Sequence, residues 1–188
     1  MKKYFVVGGI LALLFAASAC TIAHDEDTVA TGAFLPPLMG WSSWNTYHVN
    51  INEDLIKKQA DALVTTGLKD VGYLYINVDD GFFGYRDETG KMHAHSERFP
   101  NGMKPVSDYI HSLGLKAGIY SDAGDNTCGS IYDDDANGVG SGLYGHEQQD
   151  MDLYLKEWNY DFIKIDYCGA KELGLEEEKR YATICEAI

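Results

Sequence analysis

The sequence predicts an α/β protein whose strands form a parallel sheet. Apolar runs rich in β-formers alternate with segments of helical period, and polar residues gather where the runs end. This alternation is typical of right-handed βαβ units. Hydrophobic residues make up 45% of the 188 residues and aromatic residues 12%, which indicates a packed core rather than a disordered chain.

Four strands and four helices are predicted, in alternation. The strands are Leu38–Trp41, Tyr73–Val78, Leu115–Tyr120 and Asp161–Tyr167, and the helices are Asn52–Thr66, Lys104–Leu113, Glu147–Trp158 and a final one from about Lys171 to the end. Asn52 is the predicted N-cap of the first helix, after Ile51 as half of a hydrophobic staple. Gly67 and Gly114 stand where helices should stop. Because no linker interrupts residues 35–188, we predict one domain there.

Residues 1–19 have the composition of a signal peptide. Lys2 and Lys3 precede the apolar run Phe5–Ala17, which is shorter than the about 20 residues that a membrane-spanning helix needs. We therefore predict export across the inner membrane of a bacterium, to the periplasm or the cell surface.

Cys20 directly follows the small residues Ala17, Ser18 and Ala19 and resembles the lipidated cysteine of a bacterial lipobox. The match is imperfect, because Ala17 stands where the motif usually has Leu. We predict lipidation of Cys20 and a polar tether over residues 20–34; ordinary cleavage after Ala19 is the alternative.

Charge and length exclude several classes of function. The chain has 15 basic and 29 acidic residues, a net charge of −14. This field repels phosphate backbones and anionic lipids, so we predict no nucleic-acid partner and no polybasic membrane contact. The length is below the about 250 residues of a complete (β/α)8 barrel.

Polar residues follow three of the four predicted strands. Asp79 and Asp80 follow the second strand, Asp122 follows the third, and Lys164 and Asp166 lie in the last part of the fourth. Ligands of parallel α/β folds lie at these strand ends, where carboxylates are costly unless paired or used. The period of two places Lys164 and Asp166 on one face of their strand. A ligand site and a structural ion pair are both consistent with that spacing.

One acidic stretch resembles part of a calcium-binding loop. Asp133, Asp135, Asn137 and Gly138 fit the first half of the pattern, but Tyr144 stands where the bidentate Glu belongs. We expect a solvated acidic loop here and predict no metal and no cofactor.

Four motifs, in order, resemble family 27 of the glycoside hydrolases, the α-galactosidases. They are Met39–Asn45, Asn77–Phe82, Gly118–Asp122 with Asn126–Cys128, and Lys164–Cys168. The resemblance implies a parallel (β/α)8 barrel of the TIM type, of which residues 35–188 contain about the first four βα units.

The resemblance also implies roles for the charged strand-end residues. Asp166 corresponds to the nucleophile that forms a covalent glycosyl-enzyme, and Lys164 to a donor to the sugar hydroxyls beside it. Asp79 and Asp80 correspond to the pair that binds the O4 and O6 hydroxyls of galactose, although they could also cap a turn before Gly81.

Aromatic residues and cysteines receive roles in the same way. Trp44 corresponds to the aromatic wall of the sugar pocket and Tyr120 to a further lining residue. Cys128 and Cys168 correspond to a disulfide between the third and fourth strand ends. We expect Cys185 to be a buried free thiol.

The function implied is a retaining glycosidase that releases terminal α-linked galactose from oligosaccharides or glycans. Its acid/base residue belongs to a later strand in this family, so we expect the chain to be a truncated enzyme that is inactive alone. Sister specificities of the family (α-N-acetylgalactosaminidase, β-L-arabinopyranosidase, isomaltodextranase) and a short sugar-binding lipoprotein are the alternatives.

Overall fold

The computed structural model describes residues 37–188. Its strands are β1 Gly40–Ser42, β2 Tyr75–Val78, β3 Phe83–Arg86, β4 Met92–Ala94, β5 Lys116–Asp122 and β6 Phe162–Asp166. Its helices are α1 Trp44–Tyr47, α2 Glu53–Thr65, α3 Lys104–Ser112, α4 Cys128–Tyr132, α5 Glu147–Met151, α6 Cys168–Glu172 and α7 Glu177–Glu186. The predicted leader at 1–19, Cys20 and the tether at 20–34 lie outside the described residues. None of the helices within 37–188 has the length and apolar character needed to cross a membrane.

The four predicted strands form one parallel sheet, in the order β1-β2-β5-β6. Each strand therefore pairs with the next predicted strand along the chain, and the connections contain helices. This is the arrangement of successive βα units in a barrel, so the α/β prediction with a parallel sheet is confirmed.

The two faces of the sheet carry different side chains, as the period of two requires. Ile76, Val78, Ala117 and Ile119 are buried in the hydrophobic core with apolar residues of α2 and α3. The opposite face carries Tyr75, Asn77, Asp79, Gly118, Tyr120, Phe162, Lys164 and Asp166 along β2, β5 and β6. Polar residues therefore accumulate on the face turned away from this core, toward the carboxyl ends of the strands.

Local sequence signals place the first two long helices. The side chain of Asn52 accepts a hydrogen bond of 2.9 Å from the backbone N–H of Leu55, which confirms the N-cap of α2. Gly67 and Gly114 have φ angles of 77° and 67° after α2 and α3. Only glycine adopts this left-handed conformation without steric cost, so both helices end as predicted.

The C-terminal helices differ from the prediction. The third predicted helix begins as α5 and continues in π-helical form over Asp152–Glu157. The predicted single helix from Lys171 onward is wrong: α6 and α7 are separate, because Gly174 between them has a φ of 65°. Cys185 on α7 is an exposed free thiol, which corrects its predicted burial.

A hairpin that the sequence did not reveal occupies the segment after β2. Its strands β3 and β4 are antiparallel and only four and three residues long, too short for a recognisable alternation. Arg86 at the end of β3 donates to the Asp150 carboxylate at 2.5 and 2.8 Å and to the Gly142 carbonyl at 2.7 Å. These buried contacts fix the segments after β2 and β5 to each other.

Removing the Asn52 cap should destabilise the fold by about 1 kcal/mol, because the Leu55 N–H then loses its partner. We expect Asn52→Ala to lower the free energy of unfolding by this amount in urea denaturation. Lys58→Ala, an exposed position within α2, is the control and should change it by less than about 0.5 kcal/mol. Equal stability of Asn52→Ala and the parent would contradict the cap.

Candidate active site

The charged residues of three strand ends lie in one layer of the sheet. Tyr120 of β5 is the register partner of Lys164 of β6, and Asp79 directly follows β2 on the other side of β5. The Lys164 Nζ lies 3.0 Å from Asp79 Oδ2 and 5.1 Å from the centre of the Tyr120 ring. An ammonium group over an aromatic face and beside a carboxylate is held in place by both.

Asp166 joins this layer through Lys164. The two residues lie on one face of β6, as predicted, and Lys164 Nζ is 3.1 Å from Asp166 Oδ2. Lys164 therefore bridges Asp79 and Asp166. The side chains of Lys164 and Asp166 keep 38% and 33% of their exposure, so a ligand can reach both. A purely structural ion pair needs no such access.

The two carboxylates also decide the charge of Lys164. Burial would lower the pKa of its ammonium group, but the attraction of Asp79 and then of Asp166 outweighs this effect and raises the pKa above its usual value. Lys164 is therefore a permanent cation in the physiological range of pH, able to donate hydrogen bonds.

Serines of the first strand end position Asp79. The Ser42 hydroxyl donates to Asp79 Oδ2 at 3.2 Å, and the backbone N–H of Asp79 donates to the Ser43 hydroxyl at 3.0 Å. Oδ1 accepts from the backbone N–H of Asp80 at 2.9 Å, which is the predicted turn contact. Asp79 thus shapes its own turn and pairs with Lys164; its contact with a sugar hydroxyl stays a prediction.

Asp80 is completely buried and connects two segments. Its Oδ1 accepts from the backbone N–H of Gly81 and its Oδ2 from that of Gly129 in α4, both at 2.7 Å. Burial raises the pKa of this carboxyl group to about 6, although Thr127 and the two N–H donors oppose the shift. The contact of Asp80 with a sugar stays a prediction.

A disulfide joins Cys128 at the start of α4 to Cys168 directly after the β6 end, with 5.2 Å between their Cα atoms. This pairing confirms the disulfide that the resemblance implied. The Sγ of Cys128 lies 3.4 Å from Asp166 Oδ2, so the bond forms one side of the surroundings of this carboxylate. The backbone N–H of Cys128 donates to the Tyr120 hydroxyl at 3.1 Å. Tyr120 itself is buried, and its contact with a sugar stays a prediction.

Trp44 is the first residue of α1, directly beyond the end of β1. It is half-buried, and its ring centre lies 5.0 Å from that of His48. The structure thus places Trp44 at the same end of the sheet as Asp79 and Lys164. Its role as the wall of a sugar pocket stays a prediction.

Comparison with known proteins identifies the family. The sequence profile of Melibiase_2, described as Alpha galactosidase A, matches residues 36–188. The chain belongs to this family. Alpha-galactosidase A of Cellvibrio japonicus is 39% identical over an alignment of 189 positions, which covers 100% of this chain and 43% of that protein. A probable alpha-galactosidase of Dictyostelium discoideum is 44% identical over 95% of this chain and 43% of its own length. The chain therefore spans less than half the length of these curated relatives.

Solved structures of the α-galactosidase family share the fold. Alpha-galactosidase I from Mortierella vinacea superposes with a TM-score of 0.69 at 38% identity, covering 80% of this chain and 36% of that one. The Saccharomyces cerevisiae α-galactosidase with raffinose gives 0.70 at 34% identity, over 80% and 32%. A family 27 β-L-arabinopyranosidase from Geobacillus stearothermophilus gives 0.64 at 26% identity, over 81% and 45%. The predicted resemblance and the barrel-type fold class are confirmed.

In this α-galactosidase-family chain, Asp122 has a structural role that the sequence did not indicate. Its side chain is fully buried and accepts from the backbone N–H groups of Gly124 and Cys168, both at 2.7 Å, and of Gly169 at 3.0 Å. Because Asp122 is also the register partner of Asp166, it fixes the turn that follows Asp166. In the sequence, the only sign of this role is that Asp122 stands at the end of a predicted strand.

Within residues 37–188, one cluster brings together three side chains of the kinds that bind metal ions: Asp122, Cys128 and Cys168. Both sulfurs belong to the disulfide and the carboxylate already caps α6, so these atoms do not form a metal centre.

The acidic loop is less solvated than predicted. Asp135 keeps only 8% of its exposure and lies 2.9 Å from Arg98, while the Asp133 carboxylate lies 2.9 Å from the His48 ring. Arg98 comes from the segment after β4, a contact that local sequence does not reveal. A solvated loop is therefore the wrong description for Asp135.

The raised pKa of Asp80 predicts a specific dependence of stability on pH. Between about pH 4 and 6 the folded state keeps a proton that the unfolded chain has lost, so folding is less favoured as pH rises through this window. The loss is at most about 3 kcal/mol. Asp80→Asn cannot titrate, so its free energy of unfolding relative to the parent should rise between pH 4 and pH 7 in urea denaturation.

Asp70→Asn, at an exposed position, is the matched control and should keep a constant difference from the parent. If the difference for Asp80→Asn were also constant across this range, the buried carboxyl group would not be the cause.

Proposed function

We propose that the whole protein is a retaining glycosidase that releases terminal α-linked galactose from oligosaccharides or glycans. The observation that carries this proposal is the Lys164 ammonium group between Asp79 and Asp166 at the carboxyl end of the sheet. Membership of the α-galactosidase family and likeness to a structure with raffinose support the substrate class.

Asp166 is the nucleophile in this proposal. Its carboxylate forms a bond to the anomeric carbon while the bond from that carbon to the leaving oxygen breaks, and the leaving oxygen takes up a proton. Water then hydrolyses the glycosyl-enzyme. Lys164 lies beside the Asp166 carboxylate and donates to a sugar hydroxyl. We assign no acid/base residue within 37–188, and the reaction needs no metal or cofactor.

The remaining site residues bind the sugar. Asp79 accepts from the hydroxyls at C4 and C6, and Asp80 completes this contact. Trp44 covers the apolar C–H face of the ring, and Tyr120 lines the pocket beneath Lys164. Carboxylates that accept from neighbouring hydroxyls and an aromatic wall suit a neutral sugar.

A sister specificity is the second candidate. The likeness to a β-L-arabinopyranosidase favours it, and so does the long segment between β5 and α5, which borders the site. Galactose and L-arabinopyranose differ at C5, where only the former carries a hydroxymethyl group. A sugar-binding lipoprotein without catalysis is the candidate of a different class.

A glycosyl trap tests the nucleophile. Fluoride departs without a strong acid, and a second fluorine at C5 slows hydrolysis of the glycosyl-enzyme, so 5-fluoro-α-galactosyl fluoride should leave Asp166 glycosylated whichever group is the acid/base residue. We expect mass spectrometry of the full-length protein to find one fluorohexosyl group on the peptide that contains Asp166. Asp166→Asn should label at least about a thousandfold more slowly, and Asp70→Asn at the parental rate.

The alternatives give other results in this experiment. Labelling by the 5-fluoro derivative of β-L-arabinopyranosyl fluoride in preference to the galactosyl compound would favour the sister specificity. Galactose binding without any adduct would favour the sugar-binding lipoprotein. Undiminished labelling of Asp166→Asn would refute the nucleophile.

Export and lipidation are part of the proposal. The basic start at Lys2 and Lys3, the apolar run Phe5–Ala17 and Cys20 after small residues support them, and the disulfide suits a compartment outside the reducing cytoplasm. In a bacterial host, the parent should fractionate with membranes and incorporate labelled palmitate. Cys20→Ser should lose the label and become soluble, whereas Cys185→Ser should behave as the parent. Export of an unlabelled parent would leave simple cleavage after Ala19 as the explanation.

A further inference from the structure

The aromatic ring assigned to the wall of the galactose site receives little support from the hydrophobic core. Trp44 is half-buried and stands on α1, a helix of only four residues. Within residues 37–188, the core includes Trp41 and Tyr47 among its partly buried members but not Trp44. Of the aromatic rings in this range, that of His48 alone stacks with Trp44, at 5.0 Å between the ring centres. The position of the Trp44 ring therefore depends on a contact outside the core.

His48 has a backbone conformation that is unfavourable for a residue with a side chain. Its φ is 49° and its ψ is −132°. A positive φ has a steric cost for residues other than glycine, and Gly67 and Gly114 take positive φ angles after α2 and α3. A histidine at the end of α1 therefore lowers stability. Strain of this kind persists where the surroundings impose it, and it is concentrated at functional sites.

Contacts on both sides impose this conformation on His48. Its backbone N–H donates to the Trp44 carbonyl at 2.9 Å, which completes one helical turn and brings two side chains four residues apart to the same side. The next residue, Val49, is buried against Gly129, where an added Cβ atom would meet the Val49 side chain. The chain therefore turns sharply at His48, so that Val49 reaches α4 while the imidazole stays beside the Trp44 ring.

A carboxylate fixes the imidazole from another direction. The Nδ1 atom of His48 lies 2.9 Å from Asp133 Oδ2. Asp133 directly follows α4, and its backbone N–H donates to the Gly129 carbonyl at 3.0 Å. Because α4 begins at Cys128 of the disulfide, the His48 ring is connected to the same segment that borders Asp166.

From these observations we infer that His48 is a positioning residue, which holds the Trp44 ring in the orientation that covers the C–H face of galactose. The strained backbone is the accompanying loss of stability. The inference rests on the proposed function, because it takes Trp44 as the wall of the sugar site. Glycine would improve a residue that only ends α1, whereas it would impair one that positions Trp44.

Kinetics and stability of the full-length protein test this inference together. In His48→Gly, KM for nitrophenyl α-galactoside should rise about fivefold, as for the loss of one aromatic pair, and kcat should stay within about twofold of the parent. Trp44 contacts the sugar ring both before and during the reaction, so its displacement affects binding alone. The urea concentration at the midpoint of unfolding should equal or exceed that of the parent, because glycine relieves the strained φ. His48→Phe keeps an aromatic ring and should restore most of the parental KM.

A double-mutant cycle shows whether His48 acts through Trp44. Trp44→Ala should raise KM more than His48→Gly does, and adding His48→Gly to it should cause no further change. Asn159→Gly is the matched control. Asn159 is exposed, has a φ of 59° and precedes β6, at the amino end of that strand. Glycine there relieves the same kind of strain and should leave KM unchanged.

The possible outcomes separate the inference from the proposed function. An unchanged KM in His48→Gly, or an equal effect of this change with and without Trp44, would overturn the inference and leave the proposed function standing. A lower unfolding midpoint with a reduced kcat and a constant KM would likewise overturn it, in favour of a structural role. Absence of hydrolysis by the parent, or a parental KM in Trp44→Ala, would overturn the proposed function as stated and the inference with it.

Discussion

The contact of one ammonium group with two carboxylates is the constraint on which the strand ends depend. Asp79 is almost fully buried, and such a carboxylate is costly unless a cation or several donors satisfy it. Lys164 satisfies it while remaining beside the more exposed Asp166. The same cation therefore stabilises the buried carboxylate of Asp79 and contacts that of Asp166, the nucleophile of the proposed reaction. Loss of Lys164 would leave the buried Asp79 without its cation and would change the surroundings of Asp166.

Backbone N–H groups satisfy the other buried carboxylates of this end. Asp80 accepts from Gly81 and Gly129, and Asp122 accepts from Gly124 and the first residues of α6. Each pair of contacts joins two segments that are distant in sequence. Some of the acidic side chains behind the net charge of −14 are thus buried and bound to backbone N–H groups. These side chains do not contribute to a solvated acidic surface.

The strand order, the faces of β6 and the N-cap at Asn52 could be predicted because they depend on period and local propensity. The hairpin β3–β4 could not, because its short strands are stabilised by the Arg86 contacts to a remote segment. The burial of Asp80 and Asp135 likewise depends on Gly129 and Arg98, whose proximity no local pattern reveals. Gly174 is itself a sequence signal for the break between α6 and α7. The helical pattern on both sides of this glycine nevertheless led to the prediction of a single helix.

The disulfide gives the site a rigidity that the sheet alone does not provide. β6 ends at Asp166, and two residues later Cys168 is bonded to Cys128, whose own N–H is bound to the Tyr120 hydroxyl. Tyr120 in turn supports the Lys164 ammonium group. Asp166, the Lys164 ammonium group and the Tyr120 ring therefore belong to one closed chain of contacts. In the proposed reaction, a carboxylate held in this way does not need to reorganise when it attacks, which is how fixed polar groups lower the barrier to a displacement.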